Sequence, residues 1–325
     1  MKYNGIKKSY VVGKSLVIRI KESRVFIASV GLFLLALGLS IISPYFLTIS
    51  NILNVLRQVS IVGIVSVGMT YVIITGGIDL SVGSVLALSA VVTAVFLKQG
   101  INIFLAIIIG IIVGAVCGFF SGILITTRIN MPPFIATLAM MSVARGFSLV
   151  ITAGRPIYGL PEQFGFIAEG YVFGIPVPII IMICIYIIGY LYLSCVRNGV
   201  YYYAVGGNQE AARVAGVNIK KVKLSAYIIS GIAAAIGGVI LSSRLISIEP
   251  LAGLGYELDA IAAVVIGGTN LYGGEGSLIG TFIGAVIMGV LRNGLNLLNV
   301  SAYWQQVVIG IVIAGVVSIG ALRKK

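Results

Sequence analysis

Long apolar runs separated by short polar stretches dominate this sequence, and they constrain its fold more than any other feature. The run from Val25 to about Leu47 is typical, since about 20 apolar residues span the hydrocarbon core of a bilayer. Only 10% of the residues are charged, whereas soluble domains carry about 25%. A soluble fold of this size would lack the polar surface that it needs. The sequence therefore predicts an all-α, polytopic membrane protein.

The apolar runs predict about ten transmembrane helices. Their approximate bounds are 25–47, 59–75, a run ending near 96, 103–125, 133–151, 173–195, 224–242, 257–268, 278–291 and 304–322. We expect three parts: a basic N-terminal segment at 1–24, a transmembrane domain at 25–322 that contains a polar loop at 197–223, and a C-terminal tail at 323–325. An even number of spans places both termini on one side of the membrane.

The basic residues predict which side that is. The chain has 22 basic and 9 acidic residues, for a formal net charge of +13. In a soluble fold this would suggest nucleic acid, but no basic stripe on a soluble fold is available here. Lys and Arg concentrate in cytoplasmic loops of membrane proteins. With both termini and loop 197–223 inside, 16 of the 22 basic residues are cytoplasmic. We expect a multi-pass membrane protein with both termini in the cytoplasm, in contact with lipid.

Several kinds of chemistry are excluded by residues that the sequence lacks. There is no histidine, and the three cysteines lie in or beside apolar runs without metal-ligand spacing. Catalysis by a Ser-His or Cys-His pair is therefore excluded, no metal site is expected, and we do not expect an enzyme. The phosphate-binding pattern Gly-x-x-x-x-Gly-Lys-Ser/Thr is also absent. If ATP drives this protein, a partner must bind ATP and Mg²⁺, and this chain holds no cofactor.

The loop at 197–223 is the longest polar, basic interruption of the apolar chain, and a helix bundle does not need it in order to fold. Its segment 208–216 reads Asn208-Gln209-Glu210-Ala211-Ala212-Arg213-Val214-Ala215-Gly216. Asn208 is a good N-cap for a short helix. The segment resembles the EAA signature of bacterial ATP-binding-cassette importers, which forms a cytoplasmic helix that contacts the ATPase. An ordinary amphipathic interfacial helix is the alternative.

A wider resemblance, from about residue 40 to residue 315, is to the ribose-type sugar permeases of ATP-binding-cassette importers. The segments that carry it are 75–84 (TGGIDLSVGS), 133–138 (PFIATL), 202–208 (YYAVGGN), 257–263 (ELDAIAA) and 267–269 (GGT). The resemblance implies a cytoplasmic ATPase, an extracytoplasmic sugar-binding protein and a second permease copy as partners. For loop 197–223 it implies ATPase coupling through Asn208, Glu210, Ala211, Ala212, Arg213 and Gly216.

Four polar residues at the ends of predicted spans are candidates for a transport path or gate. Asp79 and Ser81 precede the third span, and Glu257 and Asp259 begin the eighth. An ionisable residue at membrane depth is a functional candidate. Helix capping is the alternative for each pair, because the first N–H groups of a helix have no intrahelical partner and acidic residues are favourable there.

Arg57, Arg155 and Arg244 lie in segments expected outside the cell and are candidates for docking the binding protein. Each could equally be a solvated surface charge.

A short internal similarity links residues 74–80 (ITGGIDL) to 266–271 (IGGTNL). Both segments join an inward-running span to an outward-running one, which indicates two similar halves around a central path. Chance similarity of glycine-rich sequence is the alternative.

The hypothesis is a permease subunit that moves a monosaccharide, most plausibly ribose, into the cell. An ion-coupled secondary transporter, an integral membrane enzyme, and a permease for another sugar (galactose, xylose, rhamnose or a signalling sugar) or for a nucleoside are the alternatives.

Overall fold

A computed structural model describes residues 24–322 of the chain. The predictions for the basic N-terminal segment 1–24, apart from Arg24, and for the tail 323–325 fall outside the described residues. The described part consists almost entirely of α-helices: α1 Arg24–Ile42, α2 Ile49–Ile74, α3 Val82–Lys98, α4 Ile103–Thr126, α5 Pro133–Thr152, α6 Phe166–Glu169, α7 Val177–Cys195, α8 Arg197–Gly207, α9 Gln209–Val214, α10 Ile219–Leu245, α11 Tyr256–Ile266, α12 Leu278–Leu297 and α13 Ala302–Leu322.

Seven of the described helices are at least 18 residues long and apolar enough to cross a membrane. They are α1, α2, α4, α5, α7, α10 and α12. The prediction of an all-α, polytopic membrane protein is therefore confirmed, whereas the count of ten spans stays a prediction. α11 is the clearest departure from a simple span, because 11 residues rise only about 16 Å across a core of about 30 Å.

α2 begins ten residues before the span that the sequence predicts, which started at Val59. Residues 51–57 look like a polar pause in the sequence, but they belong to the helix. Thr48 caps it, and the side-chain amides of Asn51 and Asn293 in α12 donate to each other's oxygens at 3.0 and 2.7 Å. Because each amide satisfies the other, a polar side chain is tolerated inside this helix.

α10 occupies the centre of the bundle, where it packs against α2, α3 and α4. Small residues make this close packing possible. A Cβ atom built on Gly114 in α4 would lie 2.3 Å from the carbonyl oxygen of Gly231 in α10, and the reverse distance is 2.1 Å. The two helix backbones therefore touch, and neither glycine can be replaced without separating them.

Two short antiparallel strand pairs, of which the second is a hairpin, lie at one end of the bundle. Strand β1 (Ile157–Tyr158) pairs antiparallel with β4 (Ser247–Ile248), and β2 (Tyr171–Val172) pairs with β3 (Ile175–Pro176). The tip residue Phe173 is fully exposed and has a φ of 52°. Because β2 and β3 use residues 171–176, α7 begins at Val177 instead of residue 173 as predicted. We call this end the hairpin end, and the end that carries α8 and α9 the basic end.

Candidate functional site

The short helix α9 at the basic end has the N-terminal cap that the sequence predicts. The side-chain oxygen of Asn208 accepts the backbone N–H of Ala211 at 2.9 Å. Gly216, two residues after the helix, has a φ of 82°, which favours glycine. Residues 219–223 of the predicted loop belong to α10 instead. The interruption is thus a compact pair of helices, and a rigid element of this kind can transmit a displacement.

The exposed side of α9 carries most of the residues predicted to couple to an ATPase. Asn208, Glu210, Ala211 and Gly216 are exposed, as is Arg213, which forms an ion pair with Glu210. Ala212 differs, because it is only 4% exposed and packs into the hydrophobic core. It therefore supports the helix from behind and cannot itself contact another protein. Val214 is 87% exposed, and the sequence reasoning missed it.

Tyrosines connect α8 to the bundle. Tyr202 stacks edge-to-face on Tyr71 of α2, with ring centroids 5.2 Å apart, and its hydroxyl bonds that of Ser225 in α10 at 2.7 Å. The Tyr203 hydroxyl donates to the carbonyl oxygen of Gly276 at 3.2 Å. Burial raises the pKa of Tyr203, so this hydroxyl remains a donor. α8 is consequently held on three sides.

The C-terminal turn of α8 meets the ends of two other segments in a backbone junction. A Cβ built on Gly206 would lie 1.8 Å from the carbonyl oxygen of Ile74 and 2.5 Å from the amide nitrogen of Gly274. The Gly274 N–H itself donates to the Ile74 oxygen at 2.9 Å. We call Gly206, Ile74 and Gly274 the glycine junction. The two segments with internal sequence similarity, 74–80 and 266–271, lead into it.

The first of those segments, 75–81, interrupts the path from α2 to α3 at membrane depth. Asp79 is 1% exposed and accepts three hydrogen bonds: from the Ser81 N–H at 2.9 Å, the Ser81 hydroxyl at 2.6 Å and the Ser230 hydroxyl at 2.7 Å. Ser230 is the twelfth of the 27 residues of α10, which places Asp79 near the middle of the bundle. α3 begins at Val82 and has no side-chain cap, so Asp79 fixes the turn before α3 to α10 and does not bond the free N–H groups of the first helical turn. Its role in a path or gate stays a prediction. Sequence gave no signal for Ser230, because 151 residues separate the pair.

A second interruption, 249–255, returns into the bundle from the hairpin end and leads into α11. Arg145 of α5 holds it by donating to the carbonyl oxygens of Pro250 and Ala252 at 2.8 and 2.9 Å. Glu257, in the first turn of α11 as predicted, accepts the Gly255 N–H at 3.2 Å. The sequence reasoning did not identify Arg145, although an arginine inside an apolar run is itself a signal.

The second interruption touches the first turn of α3, directly after the first interruption. A Cβ on Gly83, in the first turn of α3, would lie 2.3 Å from the carbonyl oxygen of Gly253 and 2.4 Å from Oε2 of Glu257. We call this contact the central crossing. Helices broken at membrane depth are typical of substrate paths in transporters. Here direct backbone contact closes the crossing.

Asp259 forms an ion pair with a neighbouring helix, whereas the sequence suggested a place on the transport path or helix capping. It is 1% exposed and binds the guanidinium of Arg292 in α12, with Nη2–Oδ1 and Nη2–Oδ2 distances of 2.7 and 2.5 Å. It is thus paired with a charge on the neighbouring helix and does not cap α11. The ion pair fixes α11 to α12.

A polar strip on α5 and α11 remains accessible near mid-depth. Ser142 is exposed, and Arg145 and Glu257 are half-buried. Such side chains rarely face lipid and usually face protein or a water-filled cavity. Within residues 24–322, no group of three or more cysteine or acidic side chains could hold a metal ion.

The three arginines predicted to dock a binding protein all lie at the hairpin end. Arg57, in α2, contacts the Tyr171 hydroxyl and lies 5.1 Å from the centre of its ring. Arg155 is exposed in the loop before β1, and Arg244 is half-buried in the last turn of α10. Their docking role stays a prediction.

Comparison with known proteins identifies the family. The family model described as "Branched-chain amino acid transport system / permease component" matches residues 51–317. The chain is 51% identical over 285 residues to the ribose import permease protein of Bacillus subtilis (strain 168), covering 87% of this chain and 88% of the relative.

Two further relatives come from Escherichia coli (strain K12). The ribose import permease protein is 44% identical over 288 residues, covering 87% of this chain and 89% of the relative. The D-allose transport system permease protein is 40% identical over 298 residues, covering 90% and 91%. No solved structure matches the chain significantly.

Proposed function

We infer the function from the premise that the chain belongs to the family of transport-system permease components whose model covers residues 51–317. The chain is the membrane permease of an ATP-driven importer, and its substrate is ribose. The observation that carries this conclusion is the 51% identity over 87% of the chain to a ribose import permease. The family description mentions branched-chain amino acids, but the relatives at 40–51% identity are named for sugars.

The permease works with three protein partners in a bacterial inner membrane. A cytoplasmic ATPase binds ATP and Mg²⁺ and contacts the basic end, where Glu210, Arg213 and Val214 are exposed. A sugar-binding protein docks at the hairpin end, where Arg57, Arg155 and Arg244 lie. A second copy of the chain completes the transport unit. Both termini and the basic end face the cytoplasm, in agreement with the concentration of basic residues there.

Movement of α9 reaches the transport path through the glycine junction. α9 follows α8 directly, and α8 ends against Ile74 and Gly274. These two residues adjoin the interruption at 75–81 and the turn between α11 and α12. A displacement of α9 toward or away from the membrane therefore acts on the segment 75–81 before α3 and, through α11, on Gly253 and Glu257 at the central crossing. Separation of Gly83 from Gly253 would open that crossing.

The sugar passes along the polar strip of Ser142, Arg145 and Glu257. Sugar hydroxyls are both donors and acceptors, so a hydroxyl, a guanidinium and a carboxylate can each bond them. The strip is accessible on one side of a single chain, and exposure of these groups to lipid would be costly. The second copy covers this side, and the path runs between the two copies.

Reconstitution of the permease with its ATPase and binding protein in proteoliposomes tests this function. Labelled ribose should accumulate only when ATP is present on the ATPase side. Labelled leucine should not accumulate under the same conditions. Uptake that persists without ATP and stops with an ionophore would instead establish an ion-coupled transporter. Uptake of leucine with no uptake of ribose would overturn the substrate assignment.

The role of α9 is tested by variants of its exposed side. Glu210→Ala, and Gly216→Val, which strains a φ of 82°, should lower sugar uptake per ATP hydrolysed while the protein still inserts. Val214→Glu should weaken co-purification with the ATPase, and Val214→Gln is its uncharged control. A charge at Ala212 would disturb the core and is not a test of contact. Normal uptake and co-purification in all these variants would remove α9 from the mechanism.

A further inference from the structure

The basic end contains a pocket to which the proposed function assigns no ligand. Its volume is about 360 Å³, within the range of small-ligand sites, which starts near 300 Å³. The end of α4 and the turn after it form one wall through Thr126, Thr127 and Asn130. The segment 209–223, from α9 to the start of α10, forms the other wall. The pocket therefore lies between a membrane helix and the element proposed to contact the ATPase.

The chemistry of the pocket matches a phosphate group. Arg213, Lys220 and Lys223 line it together with hydroxyl and amide side chains, and no acidic residue is among the lining residues. Arg213 is paired with Glu210, so the two lysines supply most of the positive charge. The Lys223 ammonium donates to the Gln209 side chain at 2.9 Å, which holds it between α9 and α10. Cationic groups with neutral donors around them are a suitable environment for an oxyanion.

The surroundings favour a lipid as the source of that phosphate. Residues spaced by whole helical turns lie on the same face of a helix. Phe119 and Ile112 precede the pocket residue Thr126 by seven and fourteen residues, about two and four turns, and share its face of α4. Both are exposed, at 41% and 54%. An apolar stripe thus runs from the pocket into the membrane-spanning part of α4. A head group in the pocket would place its acyl chains along this stripe, whereas a free ion would not use it.

We propose that this pocket binds the phosphate of an anionic phospholipid, with Lys220 and Lys223 on one wall and Thr127 on the other. Basic pockets between membrane helices are suited to anionic head groups. Because Gln209 and Arg213 of α9 also line the pocket, a bound lipid joins α4 to α9. The lipid thereby restricts the position of α9 relative to the membrane.

Native mass spectrometry of the full-length permease tests this proposal, with phosphatidylglycerol and phosphatidylcholine of identical acyl chains as probes. Phosphatidylglycerol should bind more tightly, and Lys220→Gln/Lys223→Gln should weaken it roughly 30-fold, about fivefold for each lysine. Lys221→Gln is the matched control, since Lys221 does not line the pocket, and it should leave the affinity unchanged. Equal binding of the two lipids, or an unchanged affinity in the double variant, would overturn the proposal.

A second pair of variants avoids the Lys223–Gln209 contact. Thr127→Glu puts a negative charge on the opposite wall and should weaken phosphatidylglycerol binding, whereas Thr127→Gln should not. Equal affinities in this pair would contradict the site. Inorganic phosphate is added as a competitor to identify the source. Displacement of the lipid by phosphate at a concentration equal to the lipid's own Kd would make the pocket a site for free phosphate and refute a lipid site.

Discussion

Replacing Gly206 with alanine tests whether α8 transmits motion from α9 to the path. The added Cβ would lie 1.8 Å from the Ile74 carbonyl oxygen, and real Cβ atoms stay at least 3.0 Å from such neighbours. The junction must therefore open by about 1.2 Å. Both obstructing atoms belong to the backbone, so a side-chain rotation cannot relieve the clash. The Gly274–Ile74 hydrogen bond of 2.9 Å lies directly in the way.

The free-energy cost of this change follows from three contributions. Overpacking costs about 1–3 kcal/mol, and loss of the backbone hydrogen bond between Gly274 and Ile74 about 1–3 kcal/mol. Alanine recovers about 1 kcal/mol through its higher helix propensity. The net cost to the closed junction is roughly 3 kcal/mol, which corresponds to a factor of about 150 in its population.

Gly207 provides a matched control, because a Cβ there meets its nearest atom, the Gly274 Cα, at 4.0 Å. In proteoliposomes containing the ATPase and binding protein, Gly206→Ala should lower ribose transported per ATP hydrolysed at least about tenfold, while Gly207→Ala retains the normal ratio. Co-purification with the ATPase should be normal in both, since neither change alters the exposed side of α9. If Gly206→Ala shows the same transport ratio and thermal stability as Gly207→Ala, the glycine junction does not couple α9 to the path.

Three further predictions concern the interior of the bundle. Asp79→Asn should retain ribose uptake within about threefold, because the amide oxygen can still accept from Ser81 and the amide NH2 can donate to the Ser230 hydroxyl. Complete loss of uptake in a normally folded protein would show that the negative charge is required. Arg292→Ala should lower the free energy of unfolding by about 3–5 kcal/mol, because it leaves the Asp259 carboxylate buried without its partner. In denaturation experiments the double variant Arg292→Ala/Asp259→Ala should regain part of this free energy. If it regains none, the broken ion pair is not the cause of the loss. Gly114→Ala should reduce the amount of folded protein in fluorescence-detected size-exclusion chromatography, because the added Cβ meets the backbone of α10. Gly146→Ala has open space at the Cβ position and should not reduce it. Equal yields of the two variants would contradict the close approach of α4 and α10.

Local features of the sequence predicted local structure well. The apolar runs located the membrane helices, since about 20 such residues suit a bilayer. Asn208 located the start of α9, because an N-cap depends only on residues three positions away. Glu257 likewise lies in the first helical turn predicted for it. In each case the signal and its structural consequence are close together in the chain.

Features that depend on distant partners could not be predicted in the same way. The polar residues at 51–57 indicated a break, but Asn51 is satisfied by reciprocal amide bonds with Asn293 and Arg57 contacts Tyr171. Neither partner can be read from the local sequence. The pairing of Asp259 with Arg292 and of Asp79 with Ser230 also arises from packing between helices. The inward orientation of Ala212 follows from the rotation of α9 about its own axis, and a six-residue helix has too few positions to reveal that rotation.

The length of α10 has a consequence for communication across the membrane. Its 27 residues form a continuous helix of about 40 Å. At the hairpin end, Ser243 donates to the Phe164 carbonyl oxygen at 2.6 Å, and Leu160 donates its N–H to the Ile246 oxygen at 3.2 Å. At the other end, Lys223 is bonded to Gln209 of α9. α10 therefore connects the two ends of the bundle directly. We expect a displacement of the hairpin end, such as a docked binding protein would cause, to reach α9 before any sugar enters the path.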